Sequence, residues 1–416
     1  PTPTPTTPTP TPGPTSTPTP KPLEGVTLNC MFTTMDPAPY EKLAAMVPKF
    51  EGETGAKITL VPMSMDPLYE KAMIELTAPS TTFNLIEANW NWIEGFASYL
   101  EPLDPFIEEA KIDLDDFVPE IMEVGKAHFG PNKGKFVAFI EHCDVQVFVY
   151  RKDLYEKYGI EYPPKNWNDI LEAAKIISSK GEVYGFGLRG EKGYMPFEDW
   201  FSLMNSFGGR MLDETYSPTI NSPECVKALE LWLELKKLGP PGVESYTYDD
   251  MFTALREGRI AQCVGWTHMT VDCEKPEISK VVGKVDFVPM PTCGEIGNWY
   301  FTMPKNSTNK EEAFEFVKWY NRSDINKEVA LATMLTARKS ILDDPDYKAK
   351  WEFAPVLRQA FLESRAPPLI PQTVEIMTIA GIEVLNALTG IKTVKQALDD
   401  AAAKIYEALK RAGYYS

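Results

Sequence analysis

The stretch VTLNCMFTTMDPAPYEKLAAMVPKFEGETGAKITLVPM, residues 26–63, changes its apolar period twice, and those changes decide the fold class. Val26, Leu28, Cys30 and Phe32 alternate and so share one face of a strand. Tyr40, Leu43, Ala44, Val47 and Phe50 then recur at helical spacing, although Pro48 should kink or shorten that helix. Residues 58–63 read as a second strand. Further along, residues 67–78 are helical, 83–87 form a third strand and 93–99 a further helix. This β-α-β-α-β order predicts a parallel, doubly wound sheet.

A second set of elements follows. Residues 136–150 are β-rich, and 167–179 form a helix behind Asn166 with Ile170, Ala173, Ala174 and Ile177 on one side. Residues 183–188 read as a strand and 223–238 as an amphipathic helix. Asn309 with Glu312 forms a capping box opening a helix to about residue 320. The last helix, 394–412, carries Val394, Leu398, Ala401, Ile405 and Leu409, with Gly413 as its C-cap. Two α/β lobes are the simplest architecture.

Composition narrows the function. Of 416 residues, 59 are acidic and 42 basic, giving a net charge of −17, and such a surface repels a phosphate backbone. No apolar run reaches the roughly 18 residues of a membrane span. Ten of the 36 prolines fall in residues 1–22, an almost pure Pro-Thr segment that reads as an extended polyproline II linker. Such spacers belong mostly outside the cell. The chain opens on Pro1 rather than Met, which fits loss of a secretion signal and an exported protein. The six cysteines contain no Cys-x-x-Cys pair; a Cys263–Cys273 bridge is conceivable.

Several chemistries fail on context. Gly185-Phe-Gly-Leu-Arg-Gly190 matches the dinucleotide fingerprint by letter, but no apolar helical stripe follows it to receive a pyrophosphate. Close packing is the better reading of those glycines. His128, His142 and His268 have no ligand-like spacing, so no metal site is expected. The aromatic segments say more. Glu87-Ala-Asn-Trp-Asn-Trp92 lies just beyond the third strand, where open α/β sheets bind ligands. Indoles stack on the C–H faces of sugars while amides and carboxylates take hydroxyls. In an extended segment Trp90 and Trp92 point to the same side, into either a cleft or the core. Glu141-His-Cys-Asp144, Gly265-Trp-Thr-His268 and Gly297-Asn-Trp-Tyr300 repeat the mixture. Arg189 either clamps a ligand or makes a structural ion pair.

Read in order, Phe50-Glu-Gly-Glu-Thr-Gly55, Leu100-Glu-Pro-Leu-Asp104, Asp116-Phe-Val-Pro119, Val149-Tyr-Arg-Lys-Asp-Leu154 and Pro304-Lys-Asn-Ser307 resemble one family. It is the extracellular solute-binding proteins of bacterial ABC sugar importers, the group that includes maltose-binding protein. Tyr184-Gly-Phe-Gly-Leu-Arg-Gly190, Ser206-Phe-Gly-Gly209, Gly239-Pro-Pro-Gly242, Ser279-Lys-Val-Val-Gly-Lys284 and Trp299 are similar to the sugar-alcohol binders within it. The resemblance implies an α/β, two-lobe periplasmic-binding-protein-like fold, with hinge crossovers near Glu141, Asn298 and Arg338 and an interlobe cleft. After the 1–22 linker, it implies an N-terminal lobe from 23–141 and 298–340, and a C-terminal lobe from 142–297 and 341–416. Carried over by position, the ligand-binding residues are Asp36, Asn89, Trp90, Trp92, Glu141, Arg189, Trp266, Asn298, Trp299 and Arg338. The chain departs from its relatives in carrying two indoles after the third strand, and Asn298-Trp-Tyr300 in place of a Gly-rich segment.

The implied function is capture of a neutral carbohydrate or sugar alcohol for an ABC permease. It involves no catalysis, no cofactor and no nucleic acid. The receptor is expected to be a monomer, extracellular or periplasmic, held at the membrane only by a lipid anchor outside this chain. Two rivals remain: a secreted carbohydrate-active enzyme using two carboxylates, and a quaternary-ammonium receptor with Trp90, Trp92, Trp266 and Trp299 as an aromatic cage.

Overall fold

A computed structural model describes residues 21–35 and 37–415; residues 1–20, which hold most of the Pro-Thr segment, and the candidate Asp36 lie outside the described residues. The strands are β1 (Thr27–Thr33), β2 (Lys57–Met63), β3 (Leu85–Asn89), β4 (Ala138–His142), β5 (Gln146–Arg151), β6 (Gln262–Trp266), β7 (Val285–Pro289) and β8 (Trp299–Thr302). They form two sheets, a five-stranded one in the order β2-β1-β3-β8-β4 and a three-stranded one in the order β6-β5-β7. β1 pairs in parallel with β2 and β3, as the alternating periods predict. β8, returning from the other sheet, is antiparallel to both β3 and β4. β5 is antiparallel to β6 and β7.

The chain leaves the first sheet after His142 and returns before Trp299, and these two passages run side by side. Gly297 donates its N–H to Asp144 O (2.8 Å), and Gln146 donates to Glu295 O (2.9 Å). The chain at Arg365 adjoins them: its N–H donates to Gly294 O and its carbonyl accepts from Ile296 N–H. Helices Thr373–Leu388 and Val394–Arg411 pack on each other and on Met195–Ser206 and Pro223–Lys236, beside the second sheet.

Local chemistry accounts for the element ends. Asn166 accepts from the N–H groups of Asn168 and Asp169 and starts helix Trp167–Ser179. Thr393 and Gln396 make a capping box before the last helix, and Gly413 follows its end at φ +86°, the left-handed conformation that favours glycine. Several expectations need correction. Helix Pro37–Thr54 runs through Pro48. That residue faces solvent, where the carbonyl it leaves without a partner meets water. Residues 136–150 are two strands in different sheets, because the crossover lies between them. Residues 183–188 pair only through isolated bridges, Tyr184 to Ile260 and Gly187 to Cys263, and form no strand. Asn309 precedes its helix at φ 54° and makes no side-chain cap, so the expected capping box is absent there. All six cysteines are buried and free.

Candidate ligand-binding cleft

At the carboxyl ends of β1, β3 and β6 the two lobes face each other around a small cavity. The first lobe contributes Met35, Met65, Asn89, Trp90 and Trp299 to its wall. Arg189, Tyr194, Glu198, Tyr248, Trp266 and His268 come from the other side, and Asp144 and Gly297 from the crossovers. The lobes touch across it, for the Tyr194 hydroxyl lies 3.5 Å from Met65 Sδ. An outer vestibule continues from Met35, Met65, Met195 and Tyr248 to the surface, and Asp66, Glu191 and Asp249 line it. That acidic mouth favours neutral ligands over anions.

Five residues singled out from the sequence therefore meet at one place: Asn89, Trp90, Arg189, Trp266 and Trp299. Four stand off the wall. Trp90–Trp92 is a 3-10 turn rather than an extended segment, so the two indoles do not share a side. Trp92 packs on Tyr69 and Phe96 and meets Trp299 edge-on at 5.5 Å between ring centroids, behind the three indoles that line the cavity. Glu141 turns to the neighbouring His142 Nδ1. Asn298 is fully buried and donates to the Tyr300 hydroxyl (3.2 Å), while its carbonyl accepts from Trp90 N–H (2.9 Å). Arg338 donates to Asp116 (2.6 Å) and to the Asn321 carbonyl, with Phe117 beneath its guanidinium at 4.3 Å. These contacts tie it to the first lobe.

Arg189 resolves into both of its readings. Its Nε and Nη2 donate to Asp199, and Nη2 also donates to Glu198 (2.6 Å). Nη1 donates to the Met195 sulfur at 3.5 Å, the Tyr248 ring centroid lies 5.7 Å from the guanidinium carbon, and the side chain lines the cavity. Burial works against the guanidinium charge, but Asp199 and Glu198 outweigh it and keep it protonated. The result is an N–H donor whose charge is already neutralised.

Sequence reasoning missed a second network. Asp144 accepts from Val145 N–H (2.7 Å), Thr267 N–H (2.9 Å) and the Thr267 hydroxyl, and pairs with His268 Nδ1. His268 Nε2 in turn meets the Tyr248 hydroxyl. With Asp144 holding Nδ1, the ring is fixed in one orientation at the wall. Asp144 and His268 stand in the quoted aromatic segments, whereas Met35, Met65 and Met195 read as ordinary core residues in sequence. The glycine-rich segment is explained by packing: a Cβ at Gly185 would lie 2.2 Å from the Ala174 carbonyl, and one at Gly190 1.7 Å from the Glu244 carbonyl.

One carboxyl behind the site stands apart. Glu295, on the returning crossover, is fully buried and neither of its carboxyl oxygens has a hydrogen-bond partner. Burial first, then Glu198 and Asp199, push its pKa well above the carboxylate range, against the opposing pull of Arg189. In the unfolded chain this carboxyl ionises near pH ~4.3. Above that pH the folded state holds one more proton, so its contribution to stability falls as pH rises through the folded pKa, by up to about 1.4 kcal/mol per unit. The Glu295→Gln protein is expected to gain stability relative to wild type from pH 5 to pH 8 in chemical denaturation. A stability difference constant across that range contradicts a neutral buried Glu295.

Comparison with known proteins agrees with this geometry. The profile of the family described as bacterial extracellular solute-binding protein matches residues 36–327. The chain belongs to that family. Among relatives of this solute-binding protein, a probable amino-acid ABC transporter periplasmic-binding protein from Sinorhizobium fredii is 27% identical over 91% of this chain and 88% of its own length. The mannitol-binding protein of Pseudomonas aeruginosa is 26% identical over 77% of this chain and 78% of its own length. A solute-binding protein from Agrobacterium radiobacter, solved with ribitol, superposes with a TM-score of 0.83 at 29% identity, covering 93% of this chain and all of that one. The two-lobe fold is that of the family, and the family and its structural neighbours are binding proteins rather than enzymes.

Proposed function

We propose that this solute-binding protein captures a small neutral polyol or sugar between its lobes and hands it to an ABC permease. The carrying observation is Arg189 Nη1 at the cavity edge, a donor on a guanidinium whose charge Asp199 and Glu198 already balance. Such a group suits a hydroxyl. A free carboxylate calls for an unpaired cation, and a quaternary amine would sit beside a guanidinium. The mannitol-binding relative and the ribitol-bound neighbour support the polyol class.

In this reading Asn89, Trp90, Trp266 and Trp299 contact the ligand together with Arg189, Tyr194, Tyr248 and His268. The lobes comprise residues 23–141 with 298–340 and 142–297 with 341–416, and ligand bridging both favours closure. The chain carries out no chemistry. The wall carboxylates Asp144 and Glu198 are held by Thr267, His268 and Arg189, and the carboxyls with raised pKa, Glu295 and Asp286, are not on the wall. The receptor acts as a monomer outside the membrane, tethered through its N-terminal linker.

A thermal-shift panel of ribitol, D-mannitol, monosaccharides, maltose, amino acids and choline tests the reading. A ligand at 100 times its Kd adds about 2.7 kcal/mol, a shift of a few degrees. Shifts confined to polyols or sugars are expected. Shifts from amino acids or choline alone, or none at all, overturn the proposal.

A further inference from the structure

Beside Trp299, three buried side chains off the cavity wall meet that the ligand-binding reading leaves without a task. Glu87 comes from β3, and Glu141 and His142 come from β4, with β8 between the two strands. A register shift between Ile140 and His142 lets the consecutive Glu141 and His142 turn toward one another across the ladder. One oxygen from each carboxylate and one imidazole nitrogen all lie within 4.8 Å of one another. Each of the three residues is at most 4% exposed. Glu87 also accepts from Thr33 N–H at 2.5 Å, which fixes its carboxylate at the end of β1.

The charge arithmetic of the three is unfavourable by itself. Two carboxylates against at most one imidazolium leave negative charge inside the lobe, where burial costs several kcal/mol per ion unless it is compensated. A tyrosine adjoins the same spot. The fully buried Tyr320 hydroxyl hydrogen-bonds Glu141, the carboxylate that also meets His142.

We propose that Glu87, Glu141 and His142 bind one divalent transition-metal ion, with zinc the best match to a site of one imidazole and two carboxylates. Three protein ligands of this kind, about 2.0–2.2 Å from the metal, leave a fourth position toward Tyr320 for water. The ion balances the carboxylate charge and clamps β3 to β4 across β8. The His142 ring is nearly parallel to the Trp299 indole, with centroids 6.4 Å apart, so the metal also fixes a wall residue of the ligand cavity.

The test is made without sugar, so its outcome is independent of the polyol reading. Full-length protein is stripped with chelator, incubated with Zn²⁺ and desalted, and its retained zinc is measured by mass spectrometry. One zinc per chain is expected, lost in both Glu87→Gln and His142→Gln proteins that keep the wild-type circular dichroism. X-ray absorption of the zinc-loaded wild type needs no variant and should show one imidazole with otherwise oxygen ligands. No retained zinc, equal retention in folded variants, or a sulfur ligand overturns the proposal.

Discussion

The Gly297→Ala protein folds but binds its ligand at least about thirty-fold more weakly than the wild type, a loss of about 2 kcal/mol or more. Gly297 sits where the returning crossover passes the Trp266 indole, and a Cβ there would lie 2.3 Å from ring atom Cζ3. No heavy-atom contact survives at that distance, so the indole must swing into the cavity it lines. The crossover hydrogen bond from Gly297 N–H to the Asp144 carbonyl needs no change, so the hinge is kept. Tryptophan-fluorescence titration, with circular dichroism as the folding check, reads the effect. Wild-type affinity in the alanine protein contradicts the placement of Trp266 on the ligand wall.

Removal of the Arg189 side chain has the largest expected effect on the fold. The Arg189→Met protein leaves Asp199 and Glu198 buried without their cation, close to a third carboxyl on Glu295. Breaking a buried pair by removing one partner costs about 3–5 kcal/mol. Adding Asp199→Leu to Arg189→Met should restore part of that loss, because the second change removes one of the stranded charges. Denaturant unfolding of the single and double variants measures both. A loss below about 1 kcal/mol in the single variant, or a double variant weaker than the single, contradicts the account of Arg189 as a charge-balanced donor.

The first sheet is legible in sequence because its strands and helices differ in period: residues 26–63 show a strand, a helix and a strand before any contact is known. The crossovers are less legible. Residues 136–150 look like one β-rich run, and only the hydrogen bonds of Asp144 and Gln146 to the returning chain divide it. The site divides along the same line. Trp90, Trp266 and Trp299 announce themselves because indoles beside amides and carboxylates are unusual at strand ends. Met35, Met65 and Met195 do not, since a methionine on a cavity wall and one in a core look alike in sequence. The Glu87–Glu141–His142 cluster is invisible for a different reason, because it depends on β8 returning between β3 and β4. Arg338 shows the converse: family position assigns it to the ligand, and its contacts with Asp116, Phe117 and Asn321 assign it to the first lobe.

A crystal structure of the protein with the panel's strongest ligand tests the central claim most directly. The account predicts that ligand enclosed between Trp90, Trp266 and Trp299, with Arg189 Nη1 donating to one of its hydroxyls. A ligand held only in the acidic vestibule by Asp66, Glu191 and Asp249, with the inner cavity unchanged, would contradict it.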